Sequence, residues 1–545
     1  MDFIRSLFQK SVRLHSSETP VDSQPLLEND EQAQEEEITT LSEIFGWCLY
    51  GWAAEPFIVC AVSTYVPLLL EQYARENGVR LDDHSQPCLI EPPVVPPILP
   101  PPASNGSYPV DPQLMFRDLK TETVQRCVVY VLGTYIDTSS YALYTFSFSV
   151  LIQTLVVISM SGAADRGHYR KQLLIAFGVI GAISTICYYG ITSKRYYIAS
   201  ILAIIANSCF GAVNVCGNSF LPILVSNTKE LRDPTHSSLE RGNVITKISG
   251  MGAASGYVSA LIVQILTMMI VIKTGSTTAS IQYAIFTVGI WWLVFQIPLG
   301  FLLKSRPGPP LNCKPNENML WQYIKYGWHT LWLSMKHASA LTDVLIYLLG
   351  WFIVSDSVTT INSAAVLFAR SELQMSTPKL VIVGILTVIC AIFGSMIVPK
   401  IQKLFNVTPK ASLICIIVWT TVIPLYGILG FYFNAIGLKH EAEMYILAIC
   451  YGFSMGGLAT VSRSLFSLLI PKGKESTFFS LFSVTDKGSS ILGPTVTALI
   501  TDRTHNIRYC FYFLFFLLII SLPVFAMLDV ERGKREAKEL QFVEE

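Results

Sequence analysis

Through most of this chain, apolar residues run for about 20 positions at a time, the length that crosses a bilayer as a helix. Such runs fall near residues 44–70, 138–161, 172–190, 197–225, 244–272 and 282–303. They recur near 341–368, 378–399, 411–433, 444–470, 478–501 and 509–529, which makes about twelve. A hydrophilic stretch, 304–340, divides them into an N-terminal half (44–303) and a C-terminal half (341–529). The pattern predicts an all-α integral membrane protein built as two six-helix pseudo-repeats. The dividing stretch holds ENMLWQYIKYGWHTLWLSMKHA, whose apolar residues recur at helical spacing with Lys and His between them. That is the pattern of an amphipathic helix lying at a membrane interface. Residues 1–43 are polar and acidic toward their end, and read as a disordered tail. Residues 530–545 read as a short exposed helix.

Several ionisable residues interrupt the apolar runs. Arg463, Asp486 and Lys487 lie in the tenth and eleventh runs, Glu55 in the first and Asp356 in the seventh. A charge at bilayer depth costs at least about 2.5 kcal/mol and persists only beside a partner or in a wetted cavity. Two readings therefore stand for each. Glu55 and Asp356, at corresponding depths of the two halves, either carry a proton or capture an ammonium, or else anchor a helix break by hydrogen bonds. Pro56 follows Glu55 directly, while Asn362 and several Ser and Thr surround Asp356. Arg463 either holds a substrate carboxylate bidentately or pairs with Asp486 on the next helix, and the sequence favours the pair. Asn207, Asn214, Asn218 and Gln264 are uncharged candidates for a cavity wall. Lys247 reads as snorkelling to an interface, and Trp291 and Trp292 as packing or belt residues.

Only 14% of the residues are charged and 51% are hydrophobic, so most of the surface must face lipid. Net charge is zero, which gives no reason to expect nucleic acid as a partner. The cysteines show no metal spacing, so neither a metal nor another cofactor is expected. The first apolar run lies too far in for a cleavable signal peptide. Loops with clustered Lys and Arg alternate with loops that have few, which places both tails and the central loop in the cytosol. The opposite loop 71–135 is long and Pro-rich and carries the sequon Asn105-Gly-Ser107, a glycosylation site on the side where it could be used. A second sequon at Asn406 falls on the cytosolic side. Cys88 and Cys127 share the long loop and are either disulfide-bonded or two free thiols. In the tail, Asp22 with Leu26 and Leu27 fits an acidic dileucine signal, which an adaptor complex would read.

The halves look related. Gly250 to Gly256 in the fifth run matches Gly488 to Pro494 in the eleventh, and Gly211 to Ser219 in the fourth matches Gly456 to Ser464 in the tenth. Two repeats of six spans place a substrate site between them near the midplane, with rocking of one half on the other for alternating access. Two other patterns are decoys. Gly452-Phe-Ser454-Met-Gly456 fits the hydrolase elbow, but it lies inside an apolar helix with no nearby His. Small residues at a helix crossing explain it better. Gly473-Lys474 lacks the upstream glycine of a phosphate loop. Nothing points to an enzyme.

Ser161-Gly-Ala-Ala-Asp165-Arg166-Gly-His-Tyr-Arg170-Lys171, after the second run, resembles the loop motif of the major facilitator superfamily, with one residue inserted before the basic pair. There the acid pairs across helices and the basic residues latch the cytosolic gate. The alternative is ordinary positive-inside residues. The equivalent loop of the second half, Gly394 to Lys410, keeps lysines and lacks the acid. A longer resemblance covers nearly the whole membrane region. It rests on Ala54-Glu55-Pro56-Phe57, Asp137-Thr-Ser-Ser140, Ser355-Asp356-Ser357, Tyr426 to Phe431, Gly473 to Phe479, Thr485 to Pro494 and Thr504 to Arg508. These blocks are similar to the fungal vacuolar amino-acid effluxers called autophagy-related protein 22. The resemblance implies a multi-spanning vacuolar protein that releases amino acids, neutral ones such as leucine among them, after autophagic breakdown. A transporter-derived sensor or scaffold, or a lysophospholipid transporter, are the rival readings.

Overall fold

The computed structural model describes residues 38–81, 84–88, 127–131, 133–228, 238–275, 277–311, 318–336, 341–373, 375, 377–433, 436–489, 492–504 and 506–544. Asp22, Leu26, Leu27 and Asn105 lie outside them. Thr39–Glu545 forms one compact unit. Its first half comprises α1 (Leu41–Glu76), α2 (Thr138–Asp165), α3 (Tyr169–Ile186), α4 (Tyr196–Ser226), α5 (Ser238–Lys273) and α6 (Thr278–Leu302). The linker contributes α7 (Met319–Lys336). The second half comprises α8 (Thr342–Ser371), α9 (Thr377–Leu404), α10 (Pro409–Tyr432), α11 (Glu441–Ser467), α12 (Glu475–Ser489), α13 (Leu492–Thr504) and α14 (Cys510–Met527), and α15 (Val530–Glu544) ends the chain. Eleven helical segments among the described residues are long and apolar enough to cross a membrane. Within the run predicted at 478–501 the described residues are helical as α12 and α13, and residues 490–491 between them lie outside the description.

The two halves are built alike. In the first, α1 packs on α5 and α6, α4 on α2 and α3, and α3 on α6. In the second, α8 packs on α12, α13 and α14, α11 on α9 and α10, and α10 on α14. The halves meet where α5 lies against α9 and α11, and where α12 lies against α2 and α4. Gly250 faces the Ser395 carbonyl and Pro399 at the first of these seams, where a Cβ would not fit. The decoy glycines behave as expected of a crossing: Gly452 and Gly456 of α11 sit directly on the α9 backbone at Thr387 and Ala391.

Each half is also tied off by one ion pair near its start. Arg306, just past α6, holds the Glu43 carboxylate with two hydrogen bonds of 3.0 and 2.8 Å. Arg532, just past α14, holds Asp343 in the same forked way at 2.7 and 2.9 Å. Both carboxylates are fully buried, and bidentate pairing is what makes such burial tolerable. These ties put the start of α1, the linker and the end of α14 on one face, here called the linker face. The opposite face carries a three-stranded antiparallel sheet, β1 (Val79–Arg80), β2 (Cys127–Val131) and β3 (Thr134–Asp137). A Cys88–Cys127 disulfide closes it.

The predicted break at Pro56 is not a break. Helix α1 continues through it by widening into a π-helical stretch, Phe57–Tyr65. Pro56 has no N–H to give the Trp52 carbonyl four residues back, and the Trp291 indole N–H donates to that carbonyl instead at 3.0 Å. Helix α7 is amphipathic as expected. Its Gly327 lies against Gly162 of α2 where neither has room for a Cβ, while Trp321 and Trp332 stay exposed.

Candidate functional site: the seam between the halves

The loop motif forms a latch across the seam. Asp165, the last residue of α2, is fully buried and points at the N-terminus of α12. Its carboxylate accepts hydrogen bonds from the backbone N–H of Ser476 (2.6 Å) and Thr477 (2.8 Å) and from Thr477 Oγ1 (2.7 Å). A helix N-terminus presents unsatisfied N–H groups and partial positive charge, so an anion supplied by a neighbouring helix completes it. Arg170 bridges Asp165 (3.4 Å) to Glu475 (3.1 Å) and donates to the Ala164 carbonyl at 3.0 Å. The inserted residue is absorbed by Gly167 at φ +75°, a turn conformation that favours glycine. Gly167 and Gly308 of the linker exchange further backbone bonds with this turn and with Pro309. Arg166 stacks on Tyr326 of α7 and donates to its hydroxyl at 2.8 Å, so it holds the linker helix rather than the seam. Lys171 is half-buried on α3 and stands apart from the latch.

The second half has an uncharged counterpart that the sequence reading missed. Gln402, near the end of α9, is buried, and its Nε2 donates to the Gly242 carbonyl (3.3 Å), Asn243 Oδ1 (3.1 Å) and Thr246 Oγ1 (3.2 Å) of α5. Thr246 in turn bonds Ser464 of α11 at 3.0 Å, and Ser249 donates to the Thr460 carbonyl at 2.8 Å. A pointer was available: Gln402 occupies, in the loop equivalent to the first-half motif, the place where the acid was found wanting.

Deeper in, Arg463 does not pair with Asp486. Its guanidinium reaches across the seam to Tyr50 Oη (2.9 Å), Asn218 Oδ1 (3.3 Å) and the Ser249 carbonyl (3.2 Å), and its Nε donates to the Ala459 carbonyl of its own helix. Tyr50 lies roughly 13 Å along α1 from the linker face, and its hydroxyl donates to Asn218 at 2.8 Å. Arg463 is thus a half-buried cation held by neutral acceptors. The pairing fails because α12 turns Asp486 toward α8, where its Oδ1 accepts from Trp351 Nε1 (3.1 Å) and Ser355 Oγ (2.8 Å). Tyr257 of α5 is buried. The side chain of Lys487 lies outside the described part.

Asp356 is buried, and its Oδ1 accepts the Gly493 N–H of α13 at 2.8 Å. A Cβ at Gly493 would run into Thr360 Oγ1 and come within 2.8 Å of Asp356 Oδ1, so this close approach needs glycine. Helix α8 therefore holds α12 through Ser355 and Trp351 and α13 through Asp356. Glu55, its counterpart in the first half, is half-buried, with Cβ and Cγ against Gly256 of α5. Asn362 is exposed further along α8. Asn207 is spent within its own half on Ser149 and Gln153.

The fold has solved counterparts. A proton:xylose symporter of the major facilitator superfamily bound to a bromodeoxyglucose superposes with a TM-score of 0.59 at 12% identity, covering 92% of this chain and 98% of that one. The major facilitator FucP in its outward conformation superposes with a TM-score of 0.57 at 12% identity, covering 90% of this chain and 98% of that one. At such identity these establish the major facilitator fold alone. In sequence the chain is 51% identical to autophagy-related protein 22 of Pichia angusta, over 92% of this chain and 94% of that protein. It is 46% identical to the protein of that name from Yarrowia lipolytica, over 93% and 99%. The family described as vacuole effluxer Atg22 like matches residues 39–538. The chain belongs to the vacuole effluxer Atg22-like family, on the major facilitator fold.

Proposed function

We propose that this protein is a vacuolar membrane transporter that exports amino acids, neutral ones such as leucine, from lumen to cytosol by alternating access coupled to protons. The observation that carries the reading is Arg463, a cation inside the seam held by neutral groups of both halves. A free amino acid brings a carboxylate that can take the Arg463 fork. It also brings an ammonium, for which Glu55 and Asp486 are the candidate acids. Loss of the Tyr50 and Asn218 bonds to a substrate carboxylate would release the second half from the first.

In this reading the linker face is cytosolic, since Arg166, Arg170, Lys304, Arg306, Lys325, Lys400, Lys403, Lys410, Lys472 and Lys474 cluster there. The Asp165 and Gln402 latches then describe a state shut toward the cytosol. Return of that face to the open state carries substrate out of the vacuole, the direction in which an acidic lumen drives protons. Glu55 or Asp356 is the candidate proton carrier, Asp356 with its Oδ1 on the Gly493 N–H. The tail residues Asp22, Leu26 and Leu27 would deliver the protein to the vacuole through an adaptor complex, and Asn105 would carry a lumenal glycan.

Reconstitution into liposomes with an imposed pH gradient tests this, using labelled leucine and a labelled lysophospholipid in parallel. Saturable leucine flux that follows the gradient and weakens in Glu55→Gln is the expected result. Leucine binding without flux would make the protein a sensor. Lysolipid movement without leucine flux would make it a lipid transporter.

A further inference from the structure

On the outside of the first half, a groove of about 560 Å³ runs between α3 and α6, within the size range of small-molecule sites. Its walls are apolar: Ile175, Val179, Leu293, Ile297, Gly300 and Phe301. Phe301 is 85% exposed and Ile297 63%, so in a membrane this side faces lipid. One polar residue lines it, Gln296, which is 4% exposed. Neither its Nε2 nor its Oε1 has a hydrogen-bond partner. Gly178 of α3 leaves the space the amide fills, since a Cβ there would strike it. Pro298, two residues on, offers no N–H to the Val294 carbonyl beside the groove.

A buried amide with both ends unmet loses free energy that a ligand can restore. We propose that this groove binds a membrane sterol, with its hydroxyl on Gln296 and its ring system along α3 and α6. The argument is one of matching groups. The floor offers one donor and one acceptor side by side, and a hydroxyl supplies both complements at once. Phospholipid esters and phosphates only accept, which would leave Oε1 unmet. A rigid ring body also loses less freedom in a shallow apolar groove than two acyl chains do. Depth fits as well. Gln296 lies six residues before the end of α6, about 9 Å from the linker face, with Lys304 and Arg306 just beyond. A hydroxyl at that level sits close beneath the interface.

The test uses the full chain in sterol-free phosphatidylcholine nanodiscs and a photoreactive alkyne sterol. Labelling should saturate, map to peptides spanning 175–179 and 293–301, and be competed by unlabelled sterol but not by its methyl ether. Added sterol should raise the thermal midpoint of the native protein. Gln296→Leu, which removes both unmet atoms, should fold and lose roughly tenfold in sterol affinity with no sterol-induced rise. Ile297→Trp, on the exposed rim, fills the groove without touching the interior and should lose labelling as well. Equal labelling of both variants, competition by the methyl ether, or stronger competition by diacylglycerol than by sterol would overturn the proposal. So would an unchanged thermal midpoint in the native protein, which would mean that water alone meets Gln296.

Discussion

The two halves close the same face with unlike latches. Asp165 brings a full charge to the exposed N–H groups of α12, and Arg170 and Glu475 extend it into an ionic cluster. Gln402, in the matching place of the second half, brings an amide that donates to three acceptors on α5 and leaves its own Oε1 unmet. Charge-assisted hydrogen bonds are roughly twice as strong as neutral ones, so one seam is held hard and the other lightly. The same asymmetry recurs deeper. Asp356 takes the Gly493 N–H of α13, while Glu55 lays its Cβ and Cγ against Gly256 of α5.

The largest effect expected from breaking this contrast is at the strong latch. Asp165→Ala strands Arg170 and opens the α12 terminus, at a cost of about 3–5 kcal/mol to the shut state. Leucine flux in liposomes should fall to background while the protein remains monodisperse. Next comes the interior: Arg463→Met removes charged hydrogen bonds worth about 1.5–3 kcal/mol each together with the proposed carboxylate site. Leucine uptake should drop at least about tenfold, and Arg463→Lys should not restore it because the fork is lost. Gly493→Ala should cost about 1–3 kcal/mol by overpacking against Thr360. Combining it with Thr360→Ala should recover most of the lost thermal midpoint, a coupling that distant sites would not show. The smallest effect belongs to the weak latch. Gln402→Leu gives up three bonds but also one unmet acceptor, and should shift the thermal midpoint by less than about 1 kcal/mol equivalent. Equal losses for Asp165→Ala and Gln402→Leu would erase the distinction between the seams.

Much of this was legible in the sequence because apolar run length, basic-loop alternation and small-residue crossings are local signals. The spans, the amphipathic linker helix and the related halves follow from such signals, while Asp165 was singled out by the resemblance of its loop to the major facilitator motif. The partners do not. Arg463 and Asp486 are near in sequence, yet the turn of α12 sends one carboxylate to α8 and leaves the guanidinium to Tyr50 and Asn218, more than 240 residues away. Pro56 signals a helix break locally, but Trp291 supplies the missing donor from another helix. Glu43–Arg306 and Asp343–Arg532 were readable only by noticing that each half opens with an acid and ends with an arginine. Gln402 is invisible by itself, since an uncharged amide between Ile401 and Lys403 reads as an ordinary polar residue at a span's end.

Backbone amide exchange across residues 475–480, measured in lipid nanodiscs, tests the central claim most directly. In the native protein the Ser476 and Thr477 amides should exchange slowly, protected by the Asp165 carboxylate. In Asp165→Ala they should exchange about a hundredfold faster, while residues 242–246 on the weak seam change little. Equal exchange in the two proteins would show that Asp165 does not hold the seam, and the account of the latch would be wrong.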